Sequence, residues 1–286
     1  MPELVEVESY RRAAEERALG RMIAGVDAGD AWYLKGGLDA AGAAAACAGR
    51  CLVAARRRGK LLLLDIGPAP GSGVPGGAPG VVGGGASGEA AAGPVLGVRF
   101  GMTGRLLVDG LAGIDRLLYS PANGGSNYDR FGLRFADGGC LIVSDPRRLG
   151  GVEIDPDEDR LGPDALTITP AALRAALGSE TVVALKTRLM DQARLAGVGN
   201  LIADEVLWRA SLAPSRPAGS LSVAEARRLH RHLTEGLAEL VRRGGSHTGD
   251  LQPQRHPGGR CTRDGAPLAR LTIGGRTTWW CPAHQA

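Results

Sequence analysis

Long apolar runs are missing from this sequence. Hydrophobic residues make up 44% of the 286 residues, yet no uninterrupted apolar stretch approaches the roughly 20 residues that a membrane-spanning helix needs. The N-terminus lacks the basic residues and apolar stretch of a secretion signal and carries Glu3, Glu6 and Glu8 instead. We therefore expect no membrane association and a globular protein of the cytoplasm.

Cysteine and lysine are also scarce. Five cysteines in a chain without an export signal argue against a disulfide framework and favour metal binding or burial. Only Lys35, Lys60 and Lys186 are lysines among 34 basic residues, as expected of a chain encoded by GC-rich codons. The formal net charge of +4 permits a nucleic-acid partner without requiring one.

The composition changes along the chain, which predicts several segments. Short alternating apolar runs separated by Gly and Asp turns predict an antiparallel β-domain over residues 1–155. Proline and acidic residues then mark a boundary, after which a helical module is predicted at 165–243 and a Gly-rich tail with a β-hairpin at 253–286. Residues 67–94 contain almost only Gly, Pro, Ala and other small residues, and we expect a flexible insertion within a hairpin.

Hydrophobic spacing also predicts individual helices. Leu4, Val7, Tyr10 and Ala14 recur at three- and four-residue intervals. The predicted helices cover residues 3–19, 170–178, 180–193, 201–210 and 222–243, the last opened by a capping box of Ser222 and Glu225.

The first candidate for chemistry is the N-terminus. Removal of Met1 would leave Pro2 with a secondary amine, whose pKa of roughly 7.7 to 8.0 leaves far more free base at neutral pH than a lysine has. The helix dipole lowers this pKa further, so an amine beside Glu3 is a plausible nucleophile with an acid/base partner. Proline followed by acids is equally an ordinary helix start.

The second candidate is the turn LAGVGN at 195–200, which precedes the helix predicted at 201–210. Free backbone N–H groups, the helix dipole and an amide side chain suit a phosphate. A tight turn between helices requires the same glycines.

The third candidate is the C-terminal hairpin. Cys261, Asp264, Cys281 and His284 form two closely spaced pairs on either side of a glycine turn, which is the spacing of a zinc ribbon. His256 is a reserve ligand. The alternative is a metal-free ribbon held together by its two tryptophans.

The fourth candidate consists of two loops, FGMTG at 100–104 and SDPRRLGG at 144–151. Exposed Met, Leu and Arg side chains on loops can enter a base stack and fill the space of an extruded nucleotide. Met102 and Leu149 could equally be core residues.

In order and across nearly the whole chain, these features resemble the formamidopyrimidine-DNA glycosylase and endonuclease VIII family. The motifs that carry the resemblance are MPELVEVE, RRRGK at 56–60, FGMTG, DPRRLG, LMDQARLAGVGNLIADE at 189–205 and GGRTTWWCPAHQ. The resemblance implies an α+β fold, with an N-terminal β-sandwich flanked by helices, a helix-two-turn-helix module and a zinc-finger hairpin, and with DNA bound between the domains.

The resemblance also implies roles for single residues. Pro2 matches the nucleophile that attacks C1′ of the damaged nucleotide, Glu3 matches the acid/base residue, and Glu6 matches a supporting carboxylate. Lys60, Asn200 and Arg276 match phosphate-binding residues, and Lys186 matches a basic residue of the helical module and is expected to contact DNA. Met102, Arg147 and Leu149 match the trio that fills the void left by the extruded base.

A bifunctional DNA glycosylase/AP lyase of base excision repair is the expected function. It would act through a proline iminium followed by β-elimination, and δ-elimination could follow. Its partner would be duplex DNA with a damaged base or abasic site, bound by a monomer in the bacterial cytoplasm at the nucleoid, with one structural Zn²⁺ per chain. A non-catalytic family member that binds damaged DNA is the alternative, and a zinc-ribbon module for RNA or a protein partner is a third reading.

Several positions depart from the family pattern. Val5 stands in place of a proline, Arg99 in place of a histidine and Leu149 in place of a phenylalanine. Asp264 and His284 replace two of four cysteines. The 17 residues of 244–260 are also too few for the loop that closes over an oxidised purine in the formamidopyrimidine branch, which predicts a lesion preference away from 8-oxoguanine.

Overall fold

The computed structural model describes residues 2–69, 93–114, 117 and 126–286. The predicted insertion at 67–94 therefore lies almost entirely outside the described residues. Within the described residues, no helix is both long and apolar enough to cross a bilayer.

Two antiparallel sheets make up the N-terminal half. Their strands are β1 (Ile23–Asp27), β2 (Cys51–Arg58), β3 (Leu61–Gly67), β4 (Val95–Arg99), β5 (Arg105–Val108), β6 (Leu111–Ala112), β7 (Asp129–Phe135), β8 (Cys140–Ser144) and β9 (Gly151–Ile154). One sheet has the order β2-β3-β4-β9 and the other β1-β7-β8-β5-β6. Leucines of β3 and alternate residues of β7 and β8 contribute to a shared buried core, as in a sandwich of two sheets.

In the part of the chain that the structure describes, six α-helices accompany these sheets and a terminal hairpin. They are α1 (Leu4–Arg17), α2 (Ala40–Cys47), α3 (Pro170–Leu177), α4 (Leu185–Leu189), α5 (Asn200–Arg209) and α6 (Val223–Arg243), and the hairpin joins β10 (Ala269–Ile273) to β11 (Arg276–Trp280). The predicted α+β class is confirmed.

Helix α6 begins where the sequence predicts. The Glu225 N–H donates to the Ser222 hydroxyl over 3.2 Å, and the Glu225 carboxylate accepts from the Ser222 N–H over 2.8 Å. Both groups lie three residues apart in the chain, so short-range chemistry suffices to fix this helix start.

The predicted helix at 180–193 is wrong over most of its length. Only α4 within it is helical, because its first part forms backbone hydrogen bonds with a distant segment. The N–H groups of Ala218 and Gly219 donate to the carbonyls of Val183 and Thr181. After α4, the side chain of Gln192 bonds to the carbonyls of Met190 and Val198 and turns the chain.

Helix α1 packs against both halves of the molecule. Its first residues, Leu4 and Val5, belong to the core of the helical module. Val7, Tyr10 and Ala14 belong to the sandwich core. The N-terminal end of the chain is thereby held at the junction of the two cores.

Candidate active site at the junction of the two cores

Glu3 is buried against the start of α5. Its two carboxylate oxygens accept the N–H groups of Leu201 and Ile202 over 2.9 and 3.1 Å. Burial raises the pKa of the Glu3 carboxyl and the nearby Glu6 adds to the rise, while the charge of Lys60 and the two N–H donors oppose it. The net upward shift equips Glu3 to hold a proton at higher pH than a surface glutamate does.

The glycines of the turn before α5 allow this close approach. A Cβ on Gly199 would lie 2.2 Å from the carboxyl carbon of Glu3, and a Cβ on Gly197 would lie 2.4 Å from the Leu4 side chain. Gly197 also has φ +112°, which L side chains rarely adopt. The prediction that this turn offers free N–H groups to a phosphate is corrected for Leu201 and Ile202, because Glu3 occupies both.

Glu6 connects the N-terminus to the segment after α6. Its carboxylate accepts the backbone N–H of Glu3 over 2.8 Å and both the N–H and hydroxyl of Ser246 over 2.6 Å. Glu6 therefore supports the position of Glu3.

Pro2 and Lys60 line one cavity of about 260 Å³. Phe100, Leu149 and Gln192 contribute other parts of its wall. Burial lowers the pKa of Lys60, which the charges of Glu3 and Glu6 partly offset. The cavity thus brings the predicted nucleophile and a predicted phosphate ligand together across a gap of 58 positions in the chain.

Further cavities extend this space along the junction. One of about 600 Å³ is lined by Lys60, Asn200 and Arg276, among others. Another of about 280 Å³ is lined by Glu3, Met102, Asn200 and Arg276. Shared lining residues make these cavities parts of one cleft between the sandwich, the helical module and the hairpin of β10 and β11.

The loop between β8 and β9 presents side chains to solvent. Leu149 is 53% exposed and Arg147 is exposed as well, whereas Met102 is half-buried. Buried Asp145 holds this loop in place, since its carboxylate accepts the Thr103 hydroxyl over 2.5 Å and the Gly150 N–H over 2.9 Å. The core interpretation is therefore wrong for Leu149.

Lys186 does not reach the surface, so its expected contact with DNA is corrected. Its side chain is fully buried and its ammonium lies 2.6 Å from the Asp204 carboxylate. It also donates to the Thr278 hydroxyl over 2.8 Å and to the Thr277 carbonyl. Lys186 thus fastens β11, which carries Arg276, to the helical module.

Four potential metal ligands converge beside the C-terminal end of α5. The ligand atoms of Cys261, Asp264, Cys281 and His284 all lie within 4.8 Å of one another. Tetrahedral zinc holds such atoms about 3.5 Å apart, and the Nδ1 atom of His284 lies 2.9 Å from Asp264 and 3.5 Å from Cys261. The reserve ligand His256 is not part of the group.

Surrounding groups orient two of these side chains, His284 and Cys261, as a metal site requires. The His284 Nε2 atom lies 3.2 Å from the Trp208 carbonyl, which leaves Nδ1 for a metal. The Trp208 indole N–H and the Arg263 N–H both point to the Cys261 sulfur. Two thiolates, an imidazole and a carboxylate with such support fit Zn²⁺.

Several polar residues that support the candidate site are not predicted by the sequence. Asp145 and Asp164 lie in segments recognised as a loop and a boundary, and Ser246 and Asp204 carry no local pattern. An acid flanked by glycine or proline was the only available signal, and it does not distinguish a buried acceptor from a turn residue.

Comparison with known proteins agrees with this architecture. The family model of the formamidopyrimidine-DNA glycosylase N-terminal domain matches residues 1–152, and that of the formamidopyrimidine-DNA glycosylase H2TH domain matches residues 161–251.

Individual relatives match over the whole chain. A formamidopyrimidine-DNA glycosylase of Thermus thermophilus is 34% identical over 100% of this chain and 98% of its own. One of Alkalilimnicola ehrlichii is 30% identical over 100% of both chains.

Solved structures match as well. The Lactococcus lactis Fpg in complex with abasic-site DNA has a TM-score of 0.77 and 25% identity over 100% of both chains. The same protein with Fapy-dG DNA has a TM-score of 0.75 over 99% of each chain. With two domain models covering most of its length, the chain belongs to the formamidopyrimidine-DNA glycosylase family.

Proposed function

We propose that the protein is a bifunctional DNA glycosylase/AP lyase whose nucleophile is the amine of Pro2. The observation that carries the proposal is the placement of Pro2 in a cavity with Lys60, next in the sequence to Glu3, whose carboxyl is buried. Amine, acid and phosphate ligand meet at the point where the two cores join.

The reaction follows from these groups. The free amine of Pro2 attacks C1′ of the damaged nucleotide, and the C1′–N bond breaks as the base leaves with its electron pair. Glu3, whose pKa is raised by burial, supplies a proton as the sugar ring opens. The amine loses its proton as the iminium forms, and the iminium withdraws electrons and acidifies the hydrogens at C2′. The Glu3 carboxylate, having given its proton to the ring oxygen, can then accept one of these hydrogens as a proton. The electron pair of that C–H bond forms the C2′–C3′ double bond and expels the 3′ phosphate.

Contacts to duplex DNA come from the rest of the cleft. Lys60, Asn200 and Arg276 line connected cavities and are proposed to hold the phosphates around the extruded nucleotide. Met102, Arg147 and Leu149 are proposed to fill the space that the nucleotide vacates. The crystallised complexes of the Lactococcus lactis relative with abasic-site DNA support this partner.

Zinc is proposed to stabilise the hairpin that presents Arg276. Cys261, Asp264, Cys281 and His284 would hold the ion. Bound there, zinc cross-links the two ends of the ribbon and supplies folding energy, with no part in the bond changes.

The proposed lesions are abasic sites, ring-opened purines and oxidised pyrimidines. Residues 244–260 are short and tied down, since Ser246 bonds to Glu6 and the N–H groups of Asp250 and Leu251 donate to buried Glu205. A segment held in this way is too short to close over 8-oxoguanine. Each polar group of that base would cost about 1 to 3 kcal/mol if it were buried without a hydrogen-bond partner.

Borohydride trapping tests both nucleophile and substrate. The untagged protein, incubated with duplexes bearing each lesion and reduced, should give a covalent complex that maps to the N-terminal peptide. Acetylation of the N-terminus should abolish trapping.

Two results would contradict the proposal. Undiminished trapping after acetylation would show that Pro2 is not the nucleophile. Tight binding of lesion DNA without any trapping would favour the non-catalytic family member. Single-turnover excision that is fastest on 8-oxoguanine opposite cytosine would overturn the lesion preference.

A further inference from the structure

Arg57 is a buried arginine that contacts three separate parts of the chain. Its side chain is 5% exposed, and its guanidinium lies 3.1 Å from Glu8 of α1 and 2.5 Å from Asp164 of the inter-domain segment. It also donates to the carbonyl of Gly59 over 3.0 Å. Gly59 lies in the turn between β2 and β3, directly before Lys60.

Asp164 completes the connection from the other side. One carboxylate oxygen accepts the Gly59 N–H over 2.7 Å and the other accepts the Leu166 N–H over 3.0 Å. The neighbours of Asp164 bond through their backbones to Ala196, in the turn that leads to Asn200.

Gly59 lies in close contact with the turn that precedes α5. It has φ +60°, and a Cβ there would lie 2.7 Å from the Ala196 Cβ and 2.8 Å from the Gly197 nitrogen. The β2–β3 turn therefore sits directly on the turn before α5.

We propose that Arg57 and Asp164 are positioning residues that fix Lys60 relative to Pro2 by fastening α1, the β2–β3 turn and the helical module to one another. The inference rests on the proposed function, because it assigns Lys60 to a DNA phosphate. Neither Arg57 nor Asp164 lines the cavity that contains Pro2.

The neighbouring arginine provides a matched control. Arg56 is one residue away on the same strand, but its side chain is 44% exposed and pairs with Asp65 and Glu158 at the surface. Exposed ion pairs of this kind contribute little to the stability of a protein. Loss of one partner of a buried pair, in contrast, leaves an uncompensated charge in the interior.

The experiment compares Arg57→Lys, Asp164→Asn and Arg56→Lys in the full-length protein. A lysine at position 57 keeps the charge but cannot reach Glu8, Asp164 and Gly59 together. We expect the trapping rate at saturating abasic-site DNA to fall at least tenfold for Arg57→Lys and Asp164→Asn. The slope of log K against log salt should become shallower by about 0.9, the value for one phosphate contact. Arg56→Lys should leave both quantities unchanged.

A double variant separates positioning from general loss of structure. If Arg57 acts through Lys60, Arg57→Lys should cause no further loss in a Lys60→Met background. All rates are measured well below the melting temperature of the least stable variant. If Arg57→Lys does not fold, the same comparisons are made with Asp164→Asn.

Two outcomes would overturn the inference: additive losses in the double variant, or an Arg56→Lys defect as large as that of Arg57→Lys. Failure of the proposed function has a different signature. The wild-type protein would then not trap at all, while the salt slopes would still report whether Arg57 positions Lys60.

Discussion

The two ends of helix α5 hold polar clusters of opposite character. The helix has 10 residues and is about 15 Å long. At its start, Glu3 accepts two of the backbone N–H groups that have no hydrogen-bond partner within the helix. At its end, Trp208 contacts Cys261 through its indole and His284 through its carbonyl. One short helix thus organises both the proposed acid and the proposed metal site.

The two clusters differ in how their surroundings treat a charge. At the metal site, the four side chains point at each other and are supported by neighbouring groups, so a bound ion would satisfy them. At the start of the helix, burial disfavours the charged form of Glu3 and raises its pKa. A buried acid whose charged form is disfavoured is suited to proton transfer, whereas a cluster of metal ligands is suited to stabilising the fold once it holds an ion.

Glu3→Gln should have the largest effect of the variants at these two ends. It removes the transferable proton but keeps the size of the side chain, so excision should fall by about 10²- to 10⁴-fold while affinity for lesion DNA changes little. Single-turnover kinetics on an excisable lesion measure this. Glu16→Gln, on the exposed far end of α1, is the control. If Glu3→Gln lowered the excision rate by less than threefold, Glu3 would not be the acid.

The pH dependence of kcat is the second test of the Glu3 end of α5. Because the raised pKa concerns an acid that must be protonated, the rate should fall as pH rises through that pKa. Lys60 has a lowered pKa and also loses its proton with rising pH, which would weaken phosphate binding. Lys60→Arg keeps its charge at all these pH values, so any falling limb of kcat that survives in this variant belongs to Glu3. Absence of a falling limb in both proteins would contradict this assignment.

Disruption of the metal end should have a smaller effect, confined to binding. Cys281→Ala should remove zinc and weaken DNA binding by about tenfold, because the hairpin with Arg276 loses its support, while the β-sandwich stays folded. Elemental analysis, binding isotherms and circular dichroism measure these quantities. Asp264→Cys supplies a third thiolate and should retain zinc. Less than half an equivalent of zinc in freshly purified wild-type protein would instead favour a metal-free ribbon.

Shortening the segment 67–94 should leave both ends of α5 unaffected. Its composition offers almost nothing to bury, and each doubling of loop length costs only about 0.6 kcal/mol. Replacement by a short Gly-Ser turn should therefore keep the melting temperature, the excision rate and the zinc content close to those of the full chain. A large loss in any of the three would show that the segment docks on the protein or on DNA.

Short-range patterns in the sequence predicted much of this protein. The capping box of Ser222, the spacing of the four metal ligands and the strand alternation all depend on residues a few positions apart, or on simple hairpin geometry. The helix at 180–193 was overpredicted for the converse reason, since distant backbone partners at Ala218 and Gly219 compete with local helical bonds.

Tertiary structure alone decided which polar groups are buried and what they contact. Glu3 and Leu201 are 198 positions apart in the chain, and no local pattern shows that a glutamate at a helix start will meet the start of another helix. The sequence likewise shows only that Lys186 is a cation, whereas the structure shows that it forms an ion pair with Asp204 in the interior. The protonation and availability of a charged group depend on its desolvation and its neighbours. Those are set only when the sandwich, the helical module and the hairpin pack together.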